Sequence, residues 1–188
     1  LTRLAGLRDD ARESFWAELD IAYFMRHDAQ EIAWQTRHLY HCFGTEETVV
    51  KARPTEGGEG LQVMVYTKHV KELFARLCGY FGYRGLNIQD ARIHTTRRGY
   101  ALDSFIVLPT DRQRDLRADA ALIEHELSTQ LDLLSLSDLK HQISTRASRL
   151  SKAFPFPPSV EIKPGDDNAS WVLDITATDR SGLLSDLA

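Results

Sequence analysis

Near the end of this chain lies the run Asp179-Arg180-Ser181-Gly182-Leu183, between a strand end and a helix start. A carboxylate at a strand terminus can hold an ammonium group. Glycine lets the backbone come close to a ligand, and the unpaired N–H groups of a new helix can take a carboxylate. Those features together suit a free amino acid. An ordinary strand-to-helix turn capped by Asp or Ser accounts for the same residues equally well.

Other combinations carry less chemistry. His27-Asp28 is the dipeptide of metal phosphohydrolases, but such a site needs several more His and Asp ligands converging, and no histidine precedes His27. Asp28 is explained as a helix cap. His38, His41 and Cys42 could share a helix face, yet two imidazoles and a thiol are a weak zinc set. Gly79, Gly82 and Gly85 do not follow a strand, so they make no phosphate cradle. Ser104 and Ser185 have no base at recognisable spacing. No catalytic residue and no metal site is expected here. Arg98-Gly99-Tyr100-Ala101 with Phe105 matches much of an RNA-binding RNP1 signature. Leu102 stands where a second stacking ring is needed, and Asp103 would repel phosphate, so nucleic acid is not expected as a partner.

The elements that must position these residues follow from periodicity. Residues 1–44 read as helices, with Phe15, Trp16, Leu19 and Tyr23 on one face. Asp28 and Glu31 form a capping box for the helix of Ile32, Thr36 and Leu39, which Gly44 can stop. A short strand is possible near 49–53, before a loop with Pro54 and glycines. Leu61–Thr67 alternates as a strand, and Leu73, Leu77 and Phe81 make a helix stripe ending at Gly85. Asn87–Thr96 and Tyr100–Leu108 pair as a hairpin across Arg97-Arg98-Gly99. Leu116 to Leu134 gives a second amphipathic helix. A basic helix spans about 137–151, and Phe154 to Pro158 is a stiff connector. Val160–Lys163 and Trp171–Thr176 are strands, with a turn between them. The strand and helix order from Leu61 to Lys163 predicts an α+β, ferredoxin-like βαββαβ sandwich, with helices on one face of a four-stranded antiparallel sheet.

Val50 to Cys78 falls on Val160 to Ala188 at a shift of 110 positions without a gap. Leu61, Val63 and Val65 then meet Trp171, Leu173 and Ile175. A fixed-offset self-match marks tandem units, and the second copy has no room for the later elements of the first, so the chain reads as a fragment. At 188 residues, 43% hydrophobic and 27% charged, the composition is that of ordinary globular protein. A net charge of −4 gives no general attraction to nucleic acid or anionic membrane, and local basic clusters read as solvated surface. Two cysteines fit a reducing cytoplasm, and no apolar run approaches a membrane span.

With topology and loop in place, the chain resembles tandem ACT domains, whose usual motif D-x-x-G-L is matched by Asp179 to Leu183. Leu73 to Leu77, Gly85 to Ile93, Thr95 to Val107, Tyr23 to His27 and Glu31 to Trp34 together resemble the C-terminal region of bacterial PII uridylyltransferase/uridylyl-removing enzymes. The resemblance implies a helical segment at 1–48 leading out of a hydrolase domain, a first ACT domain at 49–165, and the start of a second at 166–188. It also implies a parent enzyme with nucleotidyltransferase and hydrolase domains, Mg2+-dependent, that modifies the PII signal protein under glutamine control. The fragment itself would hold no cofactor. Its partners would be L-glutamine, the catalytic domains, PII and other ACT units. Carried onto this sequence, the glutamine site comprises Asp179, Arg180, Ser181, Gly182 and Leu183 with Asn87 and Ile88. The first copy reads His69-Val70-Lys71-Glu72-Leu73, losing the ammonium partner and the open backbone, so it would contribute only its strand edge. A ligand-free docking module, using open sheet faces or strand edges, is the alternative.

Overall fold

The computed structural model describes residues 9–42, 45–68, 72–111, 113–134, 159–165, 171–177 and 183–184. The first three elements are helices: α1 (Asp9–Trp16), α2 (Ile21–Arg26) and α3 (Ala29–Leu39). Asp28 caps α3 by accepting from the N–H groups of Gln30 and Glu31, both at 2.8 Å. The capping box is only half formed. The Glu31 side chain does not return to the cap, because it is buried and turned toward the sheet. Gly44, the expected stop, and the basic helix at 137–151 lie outside the described residues, as do the Phe154–Pro158 connector and most of the turn after Pro164.

Four strands follow in one antiparallel sheet, ordered β1-β2-β4-β3, built from β1 (Val49–Pro54), β2 (Leu61–Lys68), β3 (Leu86–Arg92) and β4 (Tyr100–Pro109). Helix α4 (Leu73–Tyr83) joins β2 to β3, and α5 (Leu116–Leu134) follows β4. The ferredoxin-like α+β sandwich expected from the pattern is present. One detail of its connectivity differs. Val160–Lys163, expected as the fourth strand of this sheet, belongs to β5 (Ser159–Pro164), which pairs with β6 (Trp171–Thr176) in a separate two-stranded sheet. The edge beside β2 is filled instead by β1, which precedes it in the chain. Hairpin closure explains the choice: β1 reaches β2 across a six-residue loop, whereas β5 would have to return from beyond α5.

The repeat survives at the level of hydrogen bonding. Val49 pairs with Tyr66 and Pro54 with Leu61, while Ser159 pairs with Thr176 and Pro164 with Trp171. Every partner in the second hairpin is the partner in the first displaced by 110 positions.

Both faces of the four-stranded sheet are covered. Val50, Val63, Val65, Phe105 and Val107 pack against Leu77, Phe81, Ile123 and Leu127 of α4 and α5. On the opposite face Met64, Tyr66 and Leu102 pack against Phe15, Leu19, Tyr23 and Leu39. The helical segment is therefore a third layer over the sheet. Burial on both sides explains why seven successive residues of β2 are buried although the sequence alternates. Among the described residues no helix is long and apolar enough to cross a membrane.

Candidate functional site

Strand β3 begins where α4 ends. Gly85, at φ +67°, makes the reversal, in backbone space that disfavours any residue with a Cβ. The turn is locked from below: the Thr110 N–H donates to the Gly85 carbonyl at 2.9 Å, and Arg114 Nη1 donates to the Arg84 carbonyl at 2.7 Å. A second guanidinium nitrogen, Nη2, donates to Asp119 Oδ1 at 2.7 Å, which fixes the Arg114 side chain. Beside this frame lies a groove of about 530 Å³. Asn87, Gln89, Thr110, Glu59 and Arg114 line it over an apolar floor that includes Leu108 and Leu116.

Of the expected ligand residues, Asn87 is exposed and lines this groove. Ile88 turns the other way and packs into the core beneath α4 and α5, so its side chain points away from the groove. Asp179, Arg180, Ser181 and Gly182 lie outside the described residues; Leu183 is helical and half-buried. In the first copy, the stretch equivalent to Gly182 is visible at Glu72, which caps α4 with φ +61° and no side-chain cap bond. The turn before this helix thus calls for the left-handed region, and the second copy has glycine there.

The first loop and the start of β3 cannot meet within one unit. Lys68 pairs with Tyr100, whereas Asn87 pairs with Leu108, at the far end of the sheet. At about 3.3 Å per residue the two ends stand roughly 20 Å or more apart. A ligand touching both features has to sit between units.

The sheet edges are unlike. At β1, Glu124 of α5 accepts from the Ala52 N–H and from Lys51 Nζ, each at 2.9 Å, so that edge is occupied by its own helix. The open-face docking expected of a ligand-free module, and the stacking platform an RNA binder would need, are both closed by α1–α3. Leu102 and Ser104 are buried there, and Tyr100 stacks on Tyr66 at 5.1 Å.

Sequence reasoning missed the polar network inside that closed layer. Arg92 Nη1 donates to Glu31 Oε2 at 2.6 Å, and Gln35 Nε2 bridges Glu31 Oε1 at 3.2 Å and Ser104 Oγ at 2.7 Å. The Tyr23 hydroxyl donates to Gln35 Oε1, and burial followed by the Glu31 charge pushes that phenol well above its usual range. His94, beside Tyr23, is held below the usual imidazole range, chiefly by burial. On the other face Asp103 is 1% exposed, and burial raises it to about 7. Its Oδ1 has no hydrogen-bond partner. Cys78 on α4 is raised to about 12 by burial and then by Asp103. Both cysteines are free and buried. Among the described residues no group of three or more His, Cys, Asp or Glu is placed to hold a metal ion.

Residues 1–38 match the family described as the Uridylyltransferase GlnD fifth domain. The whole chain is 56% identical over 192 residues to the bifunctional uridylyltransferase/uridylyl-removing enzyme of Bordetella avium, covering 22% of that protein. It is 56% identical over 191 residues to the enzyme of the same name from Bordetella pertussis. The corresponding figure for Burkholderia orbicola is 44% over 188 residues, again 22% of the relative. The chain thus spans about a fifth of the length of the curated relatives it matches. No solved structure matches it. Similarity at these identities, held over the full chain, relates it to the C-terminal part of the bifunctional uridylyltransferase/uridylyl-removing enzymes.

Proposed function

We propose that these residues form the amino-acid-responsive regulatory region of such an enzyme, with L-glutamine as the effector. The reading rests on one observation above the others: two hairpins of identical register, 110 residues apart, the second leading into Asp179-Arg180-Ser181-Gly182-Leu183. In this reading the second unit opens at Ser159, where its first strand starts, instead of at 166. Uridylylation and deuridylylation of the PII signal protein, with any Mg2+ they need, belong to other parts of a cytoplasmic polypeptide. Glutamine switches those activities only by binding one arrangement of the ACT units better than another. A tenfold preference, about 1.4 kcal/mol, is within reach of a few hydrogen bonds. Asp179 would clasp the ammonium group, the backbone at Gly182 the carboxylate, and Asn87 of an adjoining unit the rest.

Calorimetry on the full-length protein tests this. Glutamine should release heat with the native sequence and bind at least tenfold more weakly to Asp179→Ala. Equal affinity in both removes this loop from the site. A ligand-free docking role is favoured by the β3 edge, which carries exposed Asn87, Gln89 and Asp90. That reading predicts no heat across millimolar glutamine.

A further inference from the structure

Strand β3 is fastened at its two ends by contacts of different kinds. Its start frames the groove through Asn87 and Gln89. Its end crosses to the helical layer: besides the bond to Glu31, Arg92 Nε pairs with Asp90 Oδ2 at 3.0 Å. Between the two lies the register shift of the β3–β4 ladder. Ile88 faces Val107 and Asp90 faces Ile106, so Gln89 is the extra residue of a β-bulge.

The bulge decides where the side chains point. An extra residue inverts the alternation along a strand. Ile88 and Ala91 consequently both pack against the α4–α5 core, although three positions apart. Arg92, opposite Ser104, falls on the face toward α3. In a regular strand Arg92 would instead stand opposite the buried Asp103, inside the core. The bulge thus aims Arg92 at Glu31, and the bulged residue is itself a wall of the groove.

At the receiving end Glu31 is 3% exposed and holds Gln35, with His27 Nε2 at 3.9 Å. Arg92 is the permanent cation paired with it, and Glu31 also acts on the charge of Arg53. A buried carboxylate is expensive to leave without its cation, so α3 follows Arg92 when the end of β3 moves.

Resting on the reading that the groove end of β3 takes part in binding an amino acid, we propose that the Gln89 bulge relays its occupancy. The path runs through Asp90 and Arg92 to Glu31, and from there to the layer α1–α3. Arg92 and Glu31 are positioning residues here, touching no ligand. Coupling requires an element with two arrangements, and in this proposal the packed bulge takes that part.

Hydrogen exchange of the full-length protein, with and without glutamine, tests the relay beside calorimetry on the same samples. In the native sequence glutamine should slow exchange in both β3 and α3. In Arg92→Gln and in Glu31→Gln, glutamine should still release heat and still protect β3, while protection of α3 falls about fivefold or more, the low end of allosteric coupling. Arg92→Lys, which keeps the charge but not both guanidinium contacts, should restore part of it. Protection of α3 equal to that of the native sequence in both charge-removing variants overturns the relay while leaving the sensing reading intact. No heat with the native sequence overturns both.

Discussion

Two hairpins of one register live in different surroundings. In β1–β2 both faces are covered, and Val63 is 0% exposed. In β5–β6 the equivalent Leu173 is 57% exposed and Trp171 75%. The residues that differ in polarity are on one face only. Val50, Leu61, Val63 and Val65 correspond to Val160, Trp171, Leu173 and Ile175, apolar in both copies. On the other face Lys51, Arg53, Met64 and Tyr66 correspond to Glu161, Lys163, Asp174 and Thr176. There Lys163 pairs with Glu161 at 2.7 Å and with Asp174 at 3.8 Å. The second hairpin is thus written for one covering layer and one wet face. The first is written for two layers, and the helices α1–α3 supply the second. A module can gain a coupling partner by changing one face of a sheet while the other keeps its pattern.

The comparison breaks most sharply at Met64 and Asp174. Met64→Asp places a carboxylate among Phe15, Leu19, Tyr23 and Leu102. Chemical denaturation should show a loss of about 4 kcal/mol or more, the range of buried unpaired charge. The reverse exchange, Asp174→Met, alters a face already in water and should stay within about 0.5 kcal/mol. Equal effects would mean that the two faces are not differently used.

A doubly covered sheet also traps titratable groups. The folded state raises Asp103 to about 7, above its ordinary carboxylate range. Native protein therefore holds the proton more tightly than unfolded chain, and stability falls as pH rises from about 4 to about 7. Asp103→Asn, unable to ionise, should match the native protein near pH 4 and exceed it by up to about 4 kcal/mol above pH 7. His94 contributes with the opposite sign. Its folded value is lowered, so its share is lost as pH falls below about 6.5. Comparing the two proteins across pH isolates Asp103. Parallel curves would show that the carboxyl finds solvent or a partner when charged.

Much of this fold was legible because local rules and packing agree. Leu73, Leu77 and Phe81 repeat at helical spacing, and all three are buried in α4. The α5 stripe of Ala120, Ile123, Leu127 and Leu131 is likewise the buried one. Two things were not legible. Strand β5 looks like a fourth strand because order along the chain is readable and pairing partner is not. Glu31 reads as half of a capping box because an acid three residues after a cap satisfies that rule locally. Only the bulge, which no periodicity announces, shows why the acid is needed elsewhere. As for the residues lining the groove, Asn87 is singled out by resemblance. Gln89, Thr110 and Arg114 come from loops and a bulge, whose convergence depends on three-dimensional closure.

The smallest expected effect sharpens the comparison at one backbone angle. Glu72 holds φ +61° at the entrance to α4, where the second copy has Gly182. A residue with a Cβ pays about 1–2 kcal/mol in the left-handed region, and glycine gives part of that back through the freedom of its unfolded chain. Glu72→Gly should therefore raise stability by roughly 0.5 kcal/mol, small but measurable from denaturation midpoints. The matching change Gly182→Glu should lower glutamine affinity if the second loop takes the same turn, because the added Cβ stands where backbone must approach the ligand. Retained affinity would show that the two loops, alike in position, are unlike in conformation. The D-x-x-G-L spacing would then have to act through its side chains alone.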